Sequence, residues 1–531
     1  MMTKPNATKL SLDTDVLILG GGPAGTWAAI TAARLGSRVI LCDKGYCGTS
    51  GATAPAGTNT WYIPPDSEKR NAAMMKREQV GAYLTERSWM SRALDQTYQN
   101  MNQLANWGYP FGVDDEGKPY RGGLQGPDYM RLMRKLSLKA GVKILDHSPA
   151  LELLTNDHSV VGAKGVQIKT NTPWEIHAGA VVAATGGCAF LSKSLGTNLL
   201  TGDGYLMAAE AGADMSGMEF SSAYAISPIF SSMTKTAFYN WASFYRHDGS
   251  RIDDFGGQAG RSEVARALIH EPVFASIDKV TEDMKSWLPK AQPNFFIPFQ
   301  RKNINPFTDK FQITMRLEGT VRGTGGIMIA DESCATSVPG LFAAGDAATR
   351  ELICGSFTGG GSHNSTWAMS SGTWAGEAAA HYSTKLGKQK DKGIGTGAAS
   401  TPISLDGSSG KSSVEELLQA IQQEVMPLEK NWFRQEGALI HSLSKLDQVW
   451  HELRNGISYS SQQVVRARET AAMAATARWM YHAALARKES RGMHRRIDVT
   501  QTDPNQQHRL ITGGLDQIWV KPEAREISTL L

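Results

Sequence analysis

The sequence has little cysteine, no long apolar run and no block of like charge. Its five cysteines lie apart without a C-x-x-C pair, which argues against a disulfide framework, an iron–sulfur cluster or a structural zinc in this chain. No stretch reaches the roughly 18 apolar residues that cross a bilayer, and the polar N-terminus lacks the apolar core of a signal peptide. A net charge of +4 without a basic cluster favours neither nucleic acid nor an acidic membrane as a partner. These absences predict a soluble, cytoplasmic protein.

What is present first is a strand–helix–strand pattern. Residues 15–45 read DVLILGGGPAGTWAAITAARLGSRVILCDKG. The apolar, partly β-branched run over 16–19 predicts a buried parallel strand, and the pattern then predicts a helix over 26–35 and a second strand over 38–42. Such a unit is typical of dinucleotide-binding domains.

The glycines between the first strand and the helix each have a physical reason. Gly20 permits a tight turn, Gly22 lets the backbone approach a pyrophosphate, and Gly25 lets the helix pack closely on the strand. The free N–H groups at the start of the helix can bind phosphate oxygens. Asp43 ends the second strand, where a carboxylate can hold ribose hydroxyls and disfavours the 2′-phosphate of NADP.

Two later stretches favour FAD over NAD. The stretch VVAATGGCAF, residues 181–190, is a predicted strand that leads into Thr185 and Gly186 and returns the chain to the dinucleotide. The stretch GLFAAGDAAT, residues 340–349, leads into Gly345 and Asp346 and would place a carboxylate beside the ribityl chain of a flavin.

Further motifs extend almost from end to end of the chain: GGGPAG, CGTSGATAPAG, ATGG, TGDGYLMAAEAGA, GMEF, GRSEVARAL, GTGGIMI, VPGLFAAGDAA and KESRGMHRRID. In this order they resemble the fumarate reductase/succinate dehydrogenase flavoprotein superfamily, which includes L-aspartate oxidase and the α subunit of adenylylsulfate reductase. The stretch SSGTWAGEAAA is most similar to adenylylsulfate reductase.

The resemblance implies an α/β fold with a Rossmann-like FAD-binding domain, an inserted α+β capping domain and a C-terminal, mainly helical domain. The expected boundaries are 1–222 with 323–400 for the FAD-binding domain, 223–322 for the cap and 411–531 for the helical domain. The polar, Gly- and Ser-rich stretch over 387–410 is interpreted as a surface linker. The active site should lie between the cap and the flavin.

The same resemblance implies the residues that contact FAD. Thr49, Ser50 and Gly51 would lie over the phosphates and the ring, and Met369 and Ser370 would approach the isoalloxazine edge. Covalent members of the family carry a histidine where this chain has Gly51, so non-covalent FAD is expected. The full set is Gly20, Gly22, Pro23, Ala24, Gly25, Asp43, Lys44, Thr49, Ser50, Gly51, Ala150, Thr185, Gly186, Asp203, Gly345, Asp346, Met369 and Ser370.

Family members that act on fumarate or succinate hold the substrate with two histidines and two arginines. Placed against that pattern, this sequence has Tyr224, Phe238, Val321 (beside Arg322) and His363 at the four positions. A fumarate- or succinate-type dicarboxylate is therefore not expected as substrate. The flavin machinery is predicted to be intact while the substrate pocket differs.

Three residues are candidates for catalysis, each with a structural alternative. His363 could act as a base or a proton donor, or be a hydrogen-bonded structural histidine. Tyr224 could donate to a substrate oxygen, or pack with Phe220. Arg322 could reach the pocket, or pair with an acid on the surface.

Other residues are assigned to structure or left open. Arg261 and Arg266 match arginines of the family's cap and are interpreted as structural, and Glu219 as orienting the site. Arg491, His494 and Arg495 are expected to tie the last domain to the FAD-binding domain. An aromatic cluster could form the cap's core or an apolar wall for the substrate: Tyr239, Trp241, Phe244 and Tyr245.

The sequence thus predicts an FAD-dependent oxidoreductase, more a dehydrogenase or reductase than an oxidase, that moves a hydride between a small substrate and the flavin. The electrons would pass to a ferredoxin-like partner, by analogy with adenylylsulfate reductase, or to O₂. The alternative is a flavin-binding electron-transfer or interaction subunit with no substrate of its own. The sequence is compatible with an oligomer.

Overall fold

The computed structural model describes residues 9–114, 116–156, 159–252, 257–387, 393–396, 412–455 and 463–524. The linker expected over 387–410 lies outside these ranges except at 387 and 393–396. The strands in these ranges are β1 (Leu10–Leu19), β2 (Val39–Cys42), β3 (Gly57–Asn59), β4 (Gly123–Gln125), β5 (Lys143–Leu145), β6 (Ala150–Thr155), β7 (Val160–Gln167), β8 (Thr172–Ala183), β9 (Met215–Ser216), β10 (Tyr224–Pro228), β11 (Ser243–Tyr245), β12 (Arg251–Ile252), β13 (Val273–Ser276), β14 (Phe311–Leu317), β15 (Gly326–Ile327), β16 (Leu341–Ala343), β17 (Ile394–Gly395), β18 (Leu510–Gly513) and β19 (Trp519–Pro522). The α-helices are α1 (Pro23–Arg34), α2 (Ser67–Val80), α3 (Arg87–Asn106), α4 (Gly126–Lys139), α5 (Asp203–Glu210), α6 (Gly257–His270), α7 (Glu282–Ala291), α8 (Pro293–Gln300), α9 (Glu351–Cys354), α10 (Gly361–Leu386), α11 (Val414–Val425), α12 (Leu428–Asn431), α13 (Glu436–Asn455) and α14 (Val464–Ala486).

An eight-stranded sheet forms the centre of the fold. Its order is β17-β6-β7-β8-β1-β2-β5, and β16 pairs with the C-terminal part of β8. Strands β1, β2, β5, β8 and β16 are parallel to one another. The apolar end of β1 is fully buried, as the continuous run of Val and Leu in a parallel strand requires. The carboxyl ends of these strands meet at one edge of the sheet, where α/β proteins bind ligands.

Helices α1 and α10 pack closely because glycines of α10 face α1. A Cβ atom added at Gly372 or Gly376 would lie 2.4 Å from the carbonyl oxygen of Ala24 or Ala28, respectively. Any larger residue at either glycine would push the helices apart. This contact fixes the first turn of α10 relative to the N-terminus of α1, and both helix ends border the candidate site.

A second sheet lies in the segment expected to be the cap. It is antiparallel and five-stranded, in the order β10-β14-β13-β11-β12. It packs on an aromatic cluster in which Phe295 contacts Phe238, Phe296 and Phe299 with ring centroids 5.1 Å apart in each pair. The segment therefore has an apolar core of its own, although the exact domain boundaries stay a prediction.

The C-terminal region is mainly helical, as expected. Helix α11 begins with a capping box, in which the Glu416 N–H donates to Ser413 Oγ and the Ser413 N–H donates to the Glu416 carboxylate. The alanine-rich α14 is buried along most of its length. The predicted α/β fold with a helical C-terminal region is confirmed. No helix in the described ranges combines the length and apolarity needed to cross a bilayer.

A buried charge network attaches the C-terminal region to the turn over 218–220. Arg487 pairs with Glu219 at 2.7 Å and with Glu489 at 3.0 Å, and none of the three side chains is exposed. Arg491 pairs with Glu489 at 2.6 Å, and His494 Nε2 lies 3.0 Å from the Arg487 carbonyl oxygen. These side chains lie in the packed interior between elements and do not line the candidate site.

Candidate active site

A cavity of about 680 Å³ lies at the carboxyl edge of the parallel sheet. Its walls come from the loops after β1, β2 and β8, from the start of α10, and from the segment 222–240. The volume is in the range of sites for cofactors and small ligands. Of the residues predicted to contact FAD, those that line the cavity are Gly20, Gly22, Pro23, Ala24, Asp43, Lys44, Ser50, Gly51, Ala150, Thr185, Gly186, Asp203, Gly345 and Asp346.

The glycine loop has the geometry of a phosphate cradle. Gly20 has a φ of +108°, and a Cβ there would lie 2.3 Å from the carbonyl oxygen of Ala184. A Cβ at Gly25 would lie 1.8 Å from the carbonyl oxygen of Gly20, whereas one at Gly22 would meet nothing within 4 Å. Because no side chain caps the N-terminus of α1, its free N–H groups are available to an anion.

Asp43 holds this loop in place through hydrogen bonds, and its carboxylate keeps one acceptor position for a ligand. Its Oδ2 accepts the N–H of Gly21 at 2.7 Å. Its Oδ1 accepts the N–H of Gly45 at 2.7 Å and the hydroxyl of Ser50 at 2.8 Å. A carboxylate oxygen has about two acceptor positions, so Oδ2 retains one for a ribose hydroxyl.

Lys44 and Asp203 meet at another part of the wall. Lys44 Nζ lies 2.7 Å from Asp203 and 2.6 Å from Glu469, and it donates to Thr201 Oγ1 at 2.7 Å. Each charge is therefore paired within the protein. Glu469 lies on α14, so this cluster also attaches the C-terminal region to the cavity wall.

Asp346 is held by a buried arginine. Arg350 has no exposed side-chain surface and lies 2.5 Å from Asp346. It also donates to the carbonyl oxygens of Thr320, Val321 and Gly323. Burial raises the pKa of the Asp346 carboxyl, and Arg350 opposes this shift. The arginine thereby connects the Gly345–Asp346 turn to the turn that precedes Arg322.

Two of the predicted flavin contacts on α10, Met369 and Ser370, do not line the cavity. Met369 is fully buried in a cluster that includes Trp27, and Ser370 Oγ lies 3.4 Å from both Thr97 Oγ1 and the Ala93 carbonyl oxygen. The face of α10 that lines the cavity carries Gly361, Asn364, Ser365 and Ala368, spaced as one side of a helix.

Thr49 and Gly25 do not line the cavity either. Thr49 is exposed, and its hydroxyl lies 3.4 Å from the carbonyl oxygen of Tyr46, because the turn directs Ser50 rather than Thr49 inward. Gly25 acts through its contact with Gly20, as its packing role requires.

His363 also lies outside the cavity lining. Its ring packs against Trp61 with centroids 4.7 Å apart, and its Nδ1 lies 3.4 Å from Ser362 Oγ. Burial, together with nearby Arg77, lowers the pKa of His363 to about 3. The imidazole is therefore neutral, and its position gives no support to the predicted role as a base or proton donor.

Tyr224 borders the cavity, but its hydroxyl is engaged elsewhere. The hydroxyl is within hydrogen-bond distance of two carbonyl oxygens, of Val425 at 3.1 Å and of Met426 at 3.0 Å. The ring meets Trp432 edge-on at 5.7 Å. Tyr224 thus anchors the C-terminal region to the cap strand β10, and this contact gives no support to its predicted role as a donor to substrate.

Arg322 lines the cavity together with three cations that were not predicted as substrate contacts. It lies 3.2 Å from Glu318. Arg261 and Arg495, which were interpreted as structural, and Lys235, which was not singled out, also line the cavity. Lys235 and Arg261 each lie close enough to Arg322 to interact with its charge, and Arg495 interacts with Arg261 in the same way. By contrast, Arg266 pairs with Glu263 at 3.4 Å and lies over Phe433. No motif marked this set, because its members are distant in sequence and meet only in the fold.

The aromatic residues of the cap divide between core and wall. Tyr239 lines the cavity, with Phe238 and Trp287 beside it, whereas Trp241, Phe244 and Tyr245 do not. The Tyr239 hydroxyl is buried and makes no hydrogen bond with another described residue. Trp241, Phe244 and Tyr245 therefore lie away from the cavity, and the role of Tyr239 as a wall for the substrate stays a prediction.

Comparisons with known proteins agree with this architecture. Residues 15–228 match the family described as FAD binding domain, and residues 419–522 match the family described as fumarate reductase flavoprotein C-term. An uncharacterised FAD-dependent oxidoreductase of Methanocaldococcus jannaschii is 25% identical over 95% of this chain and 97% of its own. Among solved structures, E. coli quinol fumarate reductase superposes with a TM-score of 0.82 at 21% identity, covering 98% of both chains. Adenylylsulfate reductase of Archaeoglobus fulgidus superposes with a TM-score of 0.79 at 17% identity, covering 99% of both.

Three features fit FAD: the glycine loop, the N-terminus of α1 that no side chain caps, and the free acceptor position on Asp43. Together with the matches above, they define the protein as an FAD-dependent oxidoreductase. More specifically, the chain has the fold of the fumarate reductase flavoproteins, and its residues 419–522 match the C-terminal region of that family.

Proposed function

We propose that this chain is a dehydrogenase or reductase whose small substrate carries negative charge. One observation carries the proposal: Lys235, Arg261, Arg322 and Arg495 line the same cavity as the glycine loop of α1. Fixed cations stabilise a bound anion and the negative charge that develops as it reacts. FAD supplies the hydride chemistry when bound, and these side chains bind and orient the substrate beside it.

The charge balance of the wall supports an anion. The acids close to these cations are Glu318, which lies 3.2 Å from Arg322, and Asp346, which lies 2.5 Å from Arg350. Lys235 and Arg261 make no ion pair within 4 Å of another described residue. Their charges are therefore available to a ligand, and the substrate end of the cavity carries excess positive charge.

This geometry removes the reason to exclude a dicarboxylate substrate. The cations that family members carry at four aligned positions are missing here, where two of the positions are occupied by His363 and Tyr224. The cations that line the cavity come from other positions, so mono- and dicarboxylates and inorganic oxyanions all fall within the proposed class. The wall formed by Tyr239, Phe238 and Trp287 favours an anion with an apolar portion.

We expect FAD to be held without a covalent bond. Gly51 lines the cavity with a φ of +85° and offers no nucleophile. Acid precipitation of the holoenzyme should release all of the flavin into the supernatant, and flavin retained by the pellet would contradict this expectation. Electrons are proposed to leave the reduced enzyme for a ferredoxin-like protein or for O₂. Slow reoxidation in air would favour the protein partner.

The proposal is tested by titrating the FAD-loaded enzyme, without air, with sulfate, phosphate and a panel of carboxylates. We expect some anions to shift the visible flavin spectrum and at least one oxidisable anion to bleach it. Arg261→Met and Arg322→Met should each weaken binding about 10- to 150-fold, because each removes a charged hydrogen bond of roughly 1.5–3 kcal/mol. The exposed cap residue Arg301 gives the control, Arg301→Met, which should bind as the wild type does. Equal affinities in all four proteins would contradict the proposal.

A further inference from the structure

Lys235 is an internal lysine placed where the cap meets the flavin loop. Its Nζ donates to the carbonyl oxygen of Ala52 at 2.5 Å, one residue after Gly51. Its own carbonyl oxygen accepts a hydrogen bond from Gln292 Nε2 at 2.7 Å, which fixes the backbone at this point. The side chain therefore spans from the cap to the flavin-binding loop and lines the cavity between them.

The acids that face Lys235 are already engaged with other groups. Glu318 accepts the Thr234 hydroxyl at 2.9 Å and pairs with Arg322, while Asp346 pairs with Arg350. Arg322 also faces the lysine and disfavours a second positive charge. Burial, opposed by Glu318, lowers the pKa of Lys235 to about 8. The amine thus exchanges its proton close to neutral pH.

Other ionisable groups near the cavity are poorly suited to move a proton. The Tyr224 hydroxyl is bonded to the backbone of the C-terminal region, and His363 lies outside the lining. The Tyr239 hydroxyl has no hydrogen bond with a described residue, but burial raises its pKa far above neutrality, so it can donate a hydrogen bond without acting as a base. The guanidinium groups of Arg261 and Arg322 are hydrogen-bond donors without an acceptor atom.

We propose that Lys235 is the proton-transfer residue of this site, an inference that rests on the function proposed above. In the direction of oxidation, the neutral amine of Lys235 would take the proton that the substrate releases, while bound FAD would supply the acceptor for the hydride and its electron pair. The resulting ammonium then releases that proton to solvent. In the direction of reduction, the ammonium donates the proton while the substrate receives the hydride. The Ala52 carbonyl oxygen keeps Nζ beside the flavin loop in both directions.

The first test uses sulfate as the probe and the FAD-loaded enzyme, with binding followed through the flavin spectrum between pH 6.5 and pH 9.5. Since the ammonium favours the anion, the wild-type affinity should fall above pH 8 and approach a tenfold loss per pH unit. Near pH 8, binding should take up about half a proton, measured by calorimetry in two buffers of different ionisation enthalpy. Lys235→Met should bind more weakly, with no dependence on pH and no proton uptake. Lys235→Arg should bind sulfate equally at both ends of the range, also without proton uptake.

Two controls match this test. Lys302→Met removes an exposed lysine of the cap and should leave the wild-type behaviour unchanged. Glu351→Gln removes another buried group that titrates near pH 8 but does not line the cavity, and it should keep the wild-type dependence. If the wild type binds sulfate at no pH, the proposed function fails. If the wild type binds sulfate independently of pH, or Lys235→Met retains the proton uptake, the anion site stands and the role of Lys235 is refuted.

The second test separates proton transfer from binding. With the anion that bleaches the flavin in the screen above, Lys235→Arg should bind the substrate yet reduce kcat by roughly 10²- to 10⁴-fold, the usual contribution of a general acid or base. The limb of the wild-type kcat profile near pH 8 should disappear in this variant. An unchanged kcat or an unchanged pH profile for Lys235→Arg would overturn the proposal, even if Lys235→Met fails to fold.

Discussion

Substitutions at Gly22 and Gly25 should separate binding of FAD from stability of the fold. Alanine at Gly25 would place its Cβ 1.8 Å from the carbonyl oxygen of Gly20, so backbone must move, at a cost of about 1–3 kcal/mol or more. At Gly22 the backbone has a φ of −74° and a ψ of −172°, which alanine adopts without strain. Nothing lies within 4 Å of a Cβ there. Gly22→Ala should therefore leave the free energy of unfolding unchanged or raise it by about 0.4–1 kcal/mol.

The two variants should fail in different ways. Gly22→Ala should weaken the binding of FAD without loss of stability, whereas Gly25→Ala should lower the free energy of unfolding. A methyl group at Gly22 projects into open space at the N-terminus of α1, where we expect the pyrophosphate. If the methyl group displaces the pyrophosphate so that one charged hydrogen bond is lost, binding weakens by roughly 1.5–3 kcal/mol. This loss corresponds to about a 10- to 150-fold increase in the Kd for FAD. Urea unfolding of the apoprotein gives the stability, and quenching of FAD fluorescence gives the Kd.

Gly437→Ala provides the control, since a Cβ at that position of α13 also meets nothing within 4 Å. It should leave the Kd for FAD unchanged and add up to about 1 kcal/mol of stability, because alanine favours a helix. The reasoning would be refuted if Gly22→Ala bound FAD like the wild type, or if Gly25→Ala were as stable as the wild type.

Three further predictions follow from buried groups. Arg350→Met leaves the Asp346 carboxylate and carbonyl oxygens of the 320–323 turn without their donor, so the free energy of urea unfolding should fall by about 3–5 kcal/mol; a loss below about 1 kcal/mol would count against the role of Arg350. Burial, with Glu219 adding to it, raises the pKa of Glu351 to about 8. Its contribution to stability is therefore present in full below the unfolded value of about 4.3 and is lost as pH rises through about 8. Wild-type stability should fall progressively as pH rises from about 4.3 to about 8 and level off above that. Glu351→Gln should remove this fall, whereas equal falls in both would show that another group titrates. All five cysteines are buried, and burial raises the pKa of Cys47, Cys188 and Cys334 to about 12. A thiol reagent such as DTNB should leave the native enzyme unmodified and label five thiols after denaturation, and rapid labelling of the native enzyme would contradict the structure.

The dinucleotide loop could be predicted from sequence because its physical requirements are local. Gly20, Gly22 and Gly25 lie within one turn, and what a side chain would meet at each follows from the strand–turn–helix geometry. Asp43 is reached by the next strand of the same unit. The spacing of these residues along the sequence is therefore enough to predict such short-range contacts.

Contacts that depend on the rotation of a helix about its axis were harder to predict from the sequence. Met369 and Ser370 were placed on the flavin, but α10 is rotated so that Asn364, Ser365 and Ala368 face the cavity. What sets the rotation is the packing of Gly372 and Gly376 on α1, a long-range contact that the segment's own sequence does not reveal.

The substrate end could not be predicted because its cations come from separate loops. Lys235 precedes a short turn in the cap, Arg261 lies on α6, and Arg495 belongs to a C-terminal motif that otherwise forms a structural network. The family pattern concerns only four positions of the chain, and none of these cations occupies one of them. The fold brings positive charge to the cavity by other routes, a result visible only once the cap and the C-terminal region are in place.

The most direct measurement of the central claim compares an anion with its neutral analogue at the flavin. The FAD-loaded wild type is mixed without air with a carboxylate that perturbs the flavin spectrum, and in parallel with the corresponding amide of nearly the same size. The account predicts that the carboxylate perturbs the spectrum at concentrations at least 10-fold below those needed for the amide, a difference of about 1.4 kcal/mol or more. Equal responses to the carboxylate and the amide would show that the charge of Lys235, Arg261, Arg322 and Arg495 does not select the substrate, and would contradict the account.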